Sequence, residues 1–337
     1  MGRAANHVEI HRIGTTELRV VSDVDAGKIA IVREEQAVIR DYMRHGTWPH
    51  RQVSLFILND LKPLARQVAS SALPPGGVSS LETRTVINLY DLANPRACHV
   101  FVNQQMMLKE GYWGDMLAVR GLLAHEHAHP LAENASTRAS RELRVELALD
   151  ATPTEQSVRL EGLLARLVDQ LCLTSPREIF TNLLAITSGF EDAMLHLNQH
   201  NVTNACKSLA GRAQLRTQLM QEVEQGTRPA DDVGQLLLAG DLESYCGLAM
   251  ELAPFDRAGA AAAASTLADM LEQELFPQLE PQFTPTFAAI RRLYSQLPET
   301  LSPTELQAWS QQVADIIVAA MRERGLIIRC VVHWDGQ

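Results

Sequence analysis

The chain has 337 residues, enough for one large domain or two ordinary ones with a sizeable core. Its formal net charge of −10 leaves no basic excess to neutralise phosphates, which argues against a nucleic-acid-binding role. Hydrophobic residues make up 46% of the chain and aromatic ones 5%, so its core has to come from Leu, Ala, Val and Ile, a composition that leans toward helix.

Five scattered cysteines, odd in number and without CxxC spacing, argue against a disulfide framework or a cysteine zinc site and suit a reducing compartment. The opening MGRAANHVEIHRIG lacks the apolar core of a secretory signal, and no uncharged apolar run reaches membrane-spanning length. The expectation is a cytoplasmic protein with no membrane partner.

From the N-terminus, HVEIHRI and TELRVVSDV read as short strands. KIAIVREEQAVIRDYMRHG and QVSLFILNDLKPLARQVASS carry helical spacing, and ALPPGGVSS is a loop. TRTVINLY and ACHVFVN, joined by the turn-rich DLANPR, predict a β-hairpin or neighbouring strands. From about residue 115 the pattern turns helical. Thr152-Pro153-Thr154-Glu155, Ser175-Pro176-Arg177-Glu178 and Ser302-Pro303-Thr304-Glu305 each combine an N-cap hydroxyl, Pro at the first helical position and Glu three residues after the cap. Their flanks do not repeat, so no internal repeat is inferred. GTRPADD and ELAPFDRAG read as loops, and GLIIRCVVHW as a terminal strand able to join the N-terminal sheet.

The chemistry concentrates in GLLAHEHAHPLAEN. On a strand, His125, His127 and His129 would share one face; on a helix only His125 and His129 do, with Glu126 beside them. The preceding DMLAVRGLLA is made of helix formers with apolar residues at 116, 117, 119, 122 and 123, Asp115 can cap it, and Pro130 marks its end. The helix is expected. His127 then turns to its back, and two imidazoles leave a zinc ion (Zn2+) short of one protein ligand. The next segment, STRASRELRVELALDATP, reads as a second helix from near Ser136 that offers Glu142, Glu146 and Asp150. Glu146 and Asp150 would face the first helix together, Asp150 accepting a ligand ring N–H; Glu142 and Glu133 compete with Glu146 for the metal.

His125-Glu126-x-x-His129 followed by Glu146-x-x-x-Asp150 resembles the gluzincin type of zincin metallopeptidase, over roughly residues 85 to 150. The Gly and third His of a metzincin would fall at Ala132 and Ala135, which excludes that type. The resemblance implies an α+β, zincin-like fold: a small, mostly N-terminal sheet on the active-site helix, then a largely helical C-terminal half. It implies a metallopeptidase core over 1–151 and a helical region over 152–337. It implies zinc on His125, His129 and Glu146, Asp150 behind a ligand histidine, and Glu126 as the general base that activates water and returns its proton to the leaving amine. It also implies a peptide or protein substrate laid along an edge strand, for which CHVFVN (98–103) is the candidate. A different class of function is a non-catalytic regulatory or scaffold protein whose helical half binds a partner. Tyr112, Trp113, His196 and His200 are left as packing or solvated residues.

Overall fold

The computed structural model describes residues 8–46, 48–64, 82–150 and 155–334. The chain is α+β and divides into two compact units, Met1–Ala132 with Leu184–Leu197, and Glu133–Leu183 with Asn198–Gln337. The loop expected at 72–80 and the cap at Thr152 lie outside the described residues.

In the first unit, β1 (Val8–Ile13), β2 (Thr16–Ser22), β3 (Gln52–Leu58), β4 (Val86–Tyr90) and β5 (Ala97–Asn103) form one sheet in the order β1-β2-β3-β5-β4. β2, β3 and β5 run parallel, and β1 and β4 are antiparallel to their neighbours. Helix α1 (Lys28–Arg44) makes the crossover from β2 to β3, as parallel pairing requires. The pleat sends Leu18, Val20, Val53, Leu55, Ile57, Cys98, Val100 and Val102 into the core, all at most 1% exposed. On the other face Phe56 and Phe101 stack with ring centroids 4.7 Å apart. Both faces of β3 therefore carry apolar side chains, and that continuous run is why QVSLFIL, expected as helix, is a strand. The hairpin of β4 and β5 is as expected, but β5 lies between β3 and β4. CHVFVN is thus an interior strand, and β4 is the edge.

Two short helices follow, α2 (Gln104–Glu110) and then α3 (Met116–Ala128), which carries HEHAH. Tyr42 of α1, fully buried, donates to the Ala124 carbonyl of α3 at 2.7 Å, and Arg120 of α3 meets Asp41 of α1 at 2.6 Å.

The second unit begins with α4 (Ala135–Ala139) and β6 (Leu143–Leu149), followed by α5 (Glu155–Asp169) and α6 (Ser175–Ala185). Helix α7 (Glu191–Glu224) opens in the first unit, which gives way to the second at Asn198. Beyond it come α8 (Ala230–Tyr245), α9 (Ala249–Ala258), α10 (Ala261–Met270), α11 (Phe283–Ser295), α12 (Pro303–Glu323) and β7 (Ile328–Trp334). The terminal strand does not join the N-terminal sheet. It pairs antiparallel with β6, from Leu143 opposite Trp334 to Leu149 opposite Ile328. Gln311 of α12 bonds the Val332 N–H and the Cys330 carbonyl, so a side-chain amide covers part of that strand's outer edge.

Residues 143–149 correct the expected second helix. Leu143, Val145, Leu147 and Leu149 alternate with exposed Arg144, Glu146 and Ala148, a period of two written in helix-forming residues. ELAPFDRAG is likewise a helix where a loop was expected. Pro254 cannot supply an N–H for the Met250 carbonyl, and the Asn182 amide donates to that oxygen instead at 3.3 Å. The box at Ser302 forms as expected, with Glu305 accepting from the Ser302 N–H at 2.9 Å. No described helix is long and apolar enough to cross a membrane, and the five cysteines form no disulfide.

Candidate metal centre

Asp115 caps α3, its Oδ1 accepting the Ala118 N–H at 3.1 Å. At the other end His129 keeps helical dihedrals (φ −50°, ψ −54°), and the N–H groups of Leu131 and Ala132 both return to the Ala128 carbonyl. Pro130 thus stops the helix without unwinding residue 129. His125 and His129 stay one turn apart on one face, their ring centroids 4.6 Å apart and the ring planes at 81°. His129 is buried and His125 half-buried. The helical reading of HEHAH holds, and the three-histidine strand is excluded.

Glu126 is buried beside them and tied to the sheet edge. Its Oε2 accepts the Asn88 N–H at 2.9 Å, and the Asn88 side-chain amide donates to the Glu126 carbonyl at 3.1 Å. Asn88 sits in the middle of β4, so the edge strand fixes this carboxylate in place. The sequence had marked the hairpin but not this residue; an amide in the middle of VINLY was its one visible trace.

His127 faces the back of the helix, as expected, but it carries more than packing. It is fully buried with Glu35 of α1, Nε2 to Oε1 at 2.8 Å, and Trp48 lies edge-on to its ring at 5.0 Å. Burial alone would lower its pKa; the Glu35 charge and a hydrogen bond with Cys98 outweigh that and hold it at about 10. The upward direction of that shift favours an imidazolium that donates to Glu35. Glu35 lies on the buried stripe Ile31, Glu35, Val38, Tyr42 of α1, and that spacing could have found it.

His50, 1% exposed, donates from Nδ1 to the Pro95 carbonyl at 2.6 Å. Burial and the His127 charge lower its pKa from 6.5 to about 4. Between those values the unfolded chain binds more protons, so His50 contributes stability that is complete above about 6.5 and lost as pH falls through about 4. The expected loss is up to about 3 kcal/mol. His50→Asn keeps an N–H for Pro95 without titrating. Urea melts across this pH range should show a shallower acid limb for the variant; identical limbs would assign the acid sensitivity elsewhere.

The expected third ligand does not sit on a helix. Glu146 is on the exposed face of β6 with its carboxylate 3.3 Å from His333, and Asp150 is exposed just past the strand, its backbone N–H on the Ile327 carbonyl. The alternatives are engaged as well: Glu142 accepts from Trp334 and Glu133 from Arg141. Trp113 packs its indole on Gly27, where an added Cβ would stand 3.0 Å from the ring, and Tyr112 is buried. Both are packing residues.

Sequence reasoning cast Glu178 as the closing residue of a capping box. That box does not form. Ser175 is helical, its N–H donates to the Gln170 carbonyl, and its hydroxyl donates to the Leu171 carbonyl. Glu178 is half-buried in the first turn of α6.

Comparison with protein-family models, curated proteins and solved structures finds no match to this chain.

Proposed function

We propose that the chain is a zinc-dependent, zincin-like metallopeptidase in which His125 and His129 hold the metal and Glu126 is the general base. The observation that carries this reading is the pair of converging imidazoles with a buried, strand-anchored glutamate next to them on the same helix. Two imidazole nitrogens one helical turn apart suit zinc, whose catalytic sites also keep a position for water or substrate.

When bound, zinc would supply Lewis acidity toward a peptide carbonyl and make a water acidic enough to lose its proton near neutral pH. The chain's own residues do the rest. Glu126, oriented by the Asn88 N–H, accepts that proton and returns it to the leaving amine. β4, the antiparallel edge strand, offers an extended substrate a pairing edge next to the base, in the role first expected of CHVFVN.

The test measures zinc content and cleavage of a mixed peptide library by tag-free protein. One zinc is expected to disappear in His129→Ala and His125→Ala and to survive in Glu146→Ala and Glu126→Gln. Glu126→Gln should cut peptide hydrolysis about 100- to 10,000-fold. A folded, zinc-supplied wild type that loses no zinc on His129→Ala would overturn the metal assignment. Equal cleavage by Glu126→Gln would overturn the mechanism.

A further inference from the structure

The sheet of the first unit ends in two outer strands, β4 on one side and β1 on the other. The Glu17 N–H donates to the Arg51 carbonyl, so Glu17 and every second residue after it on β2 turn their backbone groups toward β3. Leu18 and Val20 therefore bond to β1, through His11 and Glu9 opposite them. That leaves the N–H and C=O groups of Val8, Ile10 and Arg12 pointing away from the sheet, and no described strand pairs with them. Bulges and prolines are common means of blunting such an edge. β1 has neither, its register with β2 running unbroken from Val8 to Ile13. Val8 and Ile10 are moreover 52% and 63% exposed.

We infer that β1 pairs antiparallel with β1 of a second copy of this chain, across a two-fold axis at Ile10. With Ile10 opposite its own copy, Val8 faces Arg12 of the second copy and Glu9 faces its His11, each pair occurring twice by symmetry. Sliding the strands by one step of the bonding pattern puts Glu9 opposite Glu9 in one direction. In the other it puts His11 opposite His11 and Glu9 opposite Ile13. Like charges directly opposite destabilise a strand pair and complementary ones stabilise it, so the side chains of β1 select the Ile10 register. Glu9 is ready for that role, its Oε1 held by Lys28 at 2.9 Å. Nε2 of His11 has no hydrogen-bond partner among the described residues, the Glu9 carboxylate of its own strand lying 3.8 Å away. On the opposite face the two Ile10 side chains cover each other, which removes exposed apolar surface from water. The partner is a second copy because this edge complements itself. The pairing closes as an isologous dimer and leaves no β1 edge open.

The test is sedimentation velocity of the full chain over a wide concentration series, joined to disulfide trapping. Wild type is expected to be a dimer that dissociates on dilution. Ile10→Lys sets two ammonium groups against each other on the axis and should leave only monomer. Its circular dichroism should match wild type, because Ile10 is exposed and the fold of one chain does not rest on it. Glu9→Lys should weaken the dimer about tenfold, and Glu9→Lys/His11→Glu, which restores opposite charges, should recover it. A bonded antiparallel pair holds its Cα atoms about 5.5 Å apart, inside the roughly 4.4–6.8 Å span of a disulfide. Oxidised glutathione should therefore link two copies of Ile10→Cys but not two copies of Arg12→Cys, since Arg12 opposes Val8. A wild type that stays monomeric throughout the series would overturn the proposal, as would a dimer that Ile10→Lys leaves intact. Linkage through Arg12→Cys in place of Ile10→Cys would overturn the register. Mass and cross-linking are read here, so the outcome stands apart from the metal assignment at His125 and His129.

Discussion

Glu35→Leu is expected to destabilise the protein by about 3–5 kcal/mol, measured as a fall in urea midpoint at pH 7. Glu35 and His127 are both fully buried and 2.8 Å apart, and the Glu35 charge pushes the His127 pKa up, which favours an ion pair. Removing the carboxylate strands an imidazolium, or a desolvated neutral ring, in a site built for a charged partner. Set against a typical total stability of roughly 5–15 kcal/mol, that loss is large. The double variant Glu35→Leu/His127→Leu should recover most of it, because a buried pair exchanged for apolar side chains of similar volume is often neutral or stabilising. A double variant no more stable than Glu35→Leu would mean that His127 is needed for its contacts with Trp48 and Cys98 rather than for charge. Because His127 points away from the ligand face, the double variant should also keep its zinc, which separates this role from that of a ligand.

The same helix shows how far the sequence could be read. Asp115, the helix formers after it and Pro130 fixed the start, the body and the end of α3, and with them the convergence of His125 and His129. These signals are local, and local signals survive into the fold. β6 shows the opposite. LRVELAL is composed of helix formers, and only its partner β7, some 180 residues downstream, draws the period-two pattern into a strand. Once that stretch is a strand, the helical face supposed to present Glu146 and Asp150 does not exist. The expected cap at Ser175 was misleading for a related reason. Its Ser-Pro-x-Glu context is a good local signature for a helix start, but the helix runs through Ser175 unbroken, and no pattern within a few residues says so. The α1–α3 tie was half legible: the spacing of Ile31, Glu35, Val38 and Tyr42 puts a glutamate on a buried stripe, while the identity of its partner is a tertiary fact.

Gly121→Leu is expected to cost more than about 3 kcal/mol, beyond the usual range for overpacking, because the obstacle is backbone. Gly121 lies in α3 one turn before His125, against Ala193 and Leu197 of α7. A Cβ there would stand 2.7 Å from the Ala193 carbonyl oxygen and 3.0 Å from the Leu197 Cβ. Propensity pushes the other way, since Gly in a helix interior is about 1 kcal/mol worse than Ala or Leu. The sign of Gly121→Ala therefore decides between the two effects. If close approach rules, Gly121→Ala is less stable than wild type and Gly121→Leu far less; if propensity rules, Gly121→Ala is more stable. Close approach should win, because a carbonyl oxygen fixed in the ladder of α7 cannot step aside as a flexible side chain can. The helices would have to separate, and their separation acts on the 2.7 Å contact between Asp115 and His196 on one side of Gly121 and on the His125 turn on the other. Gly121→Ala should accordingly weaken zinc uptake through His125 and His129 even though it touches neither of them. Unchanged uptake in a destabilised Gly121→Ala would mean that the clash is absorbed by the first turns of α7 without moving α3.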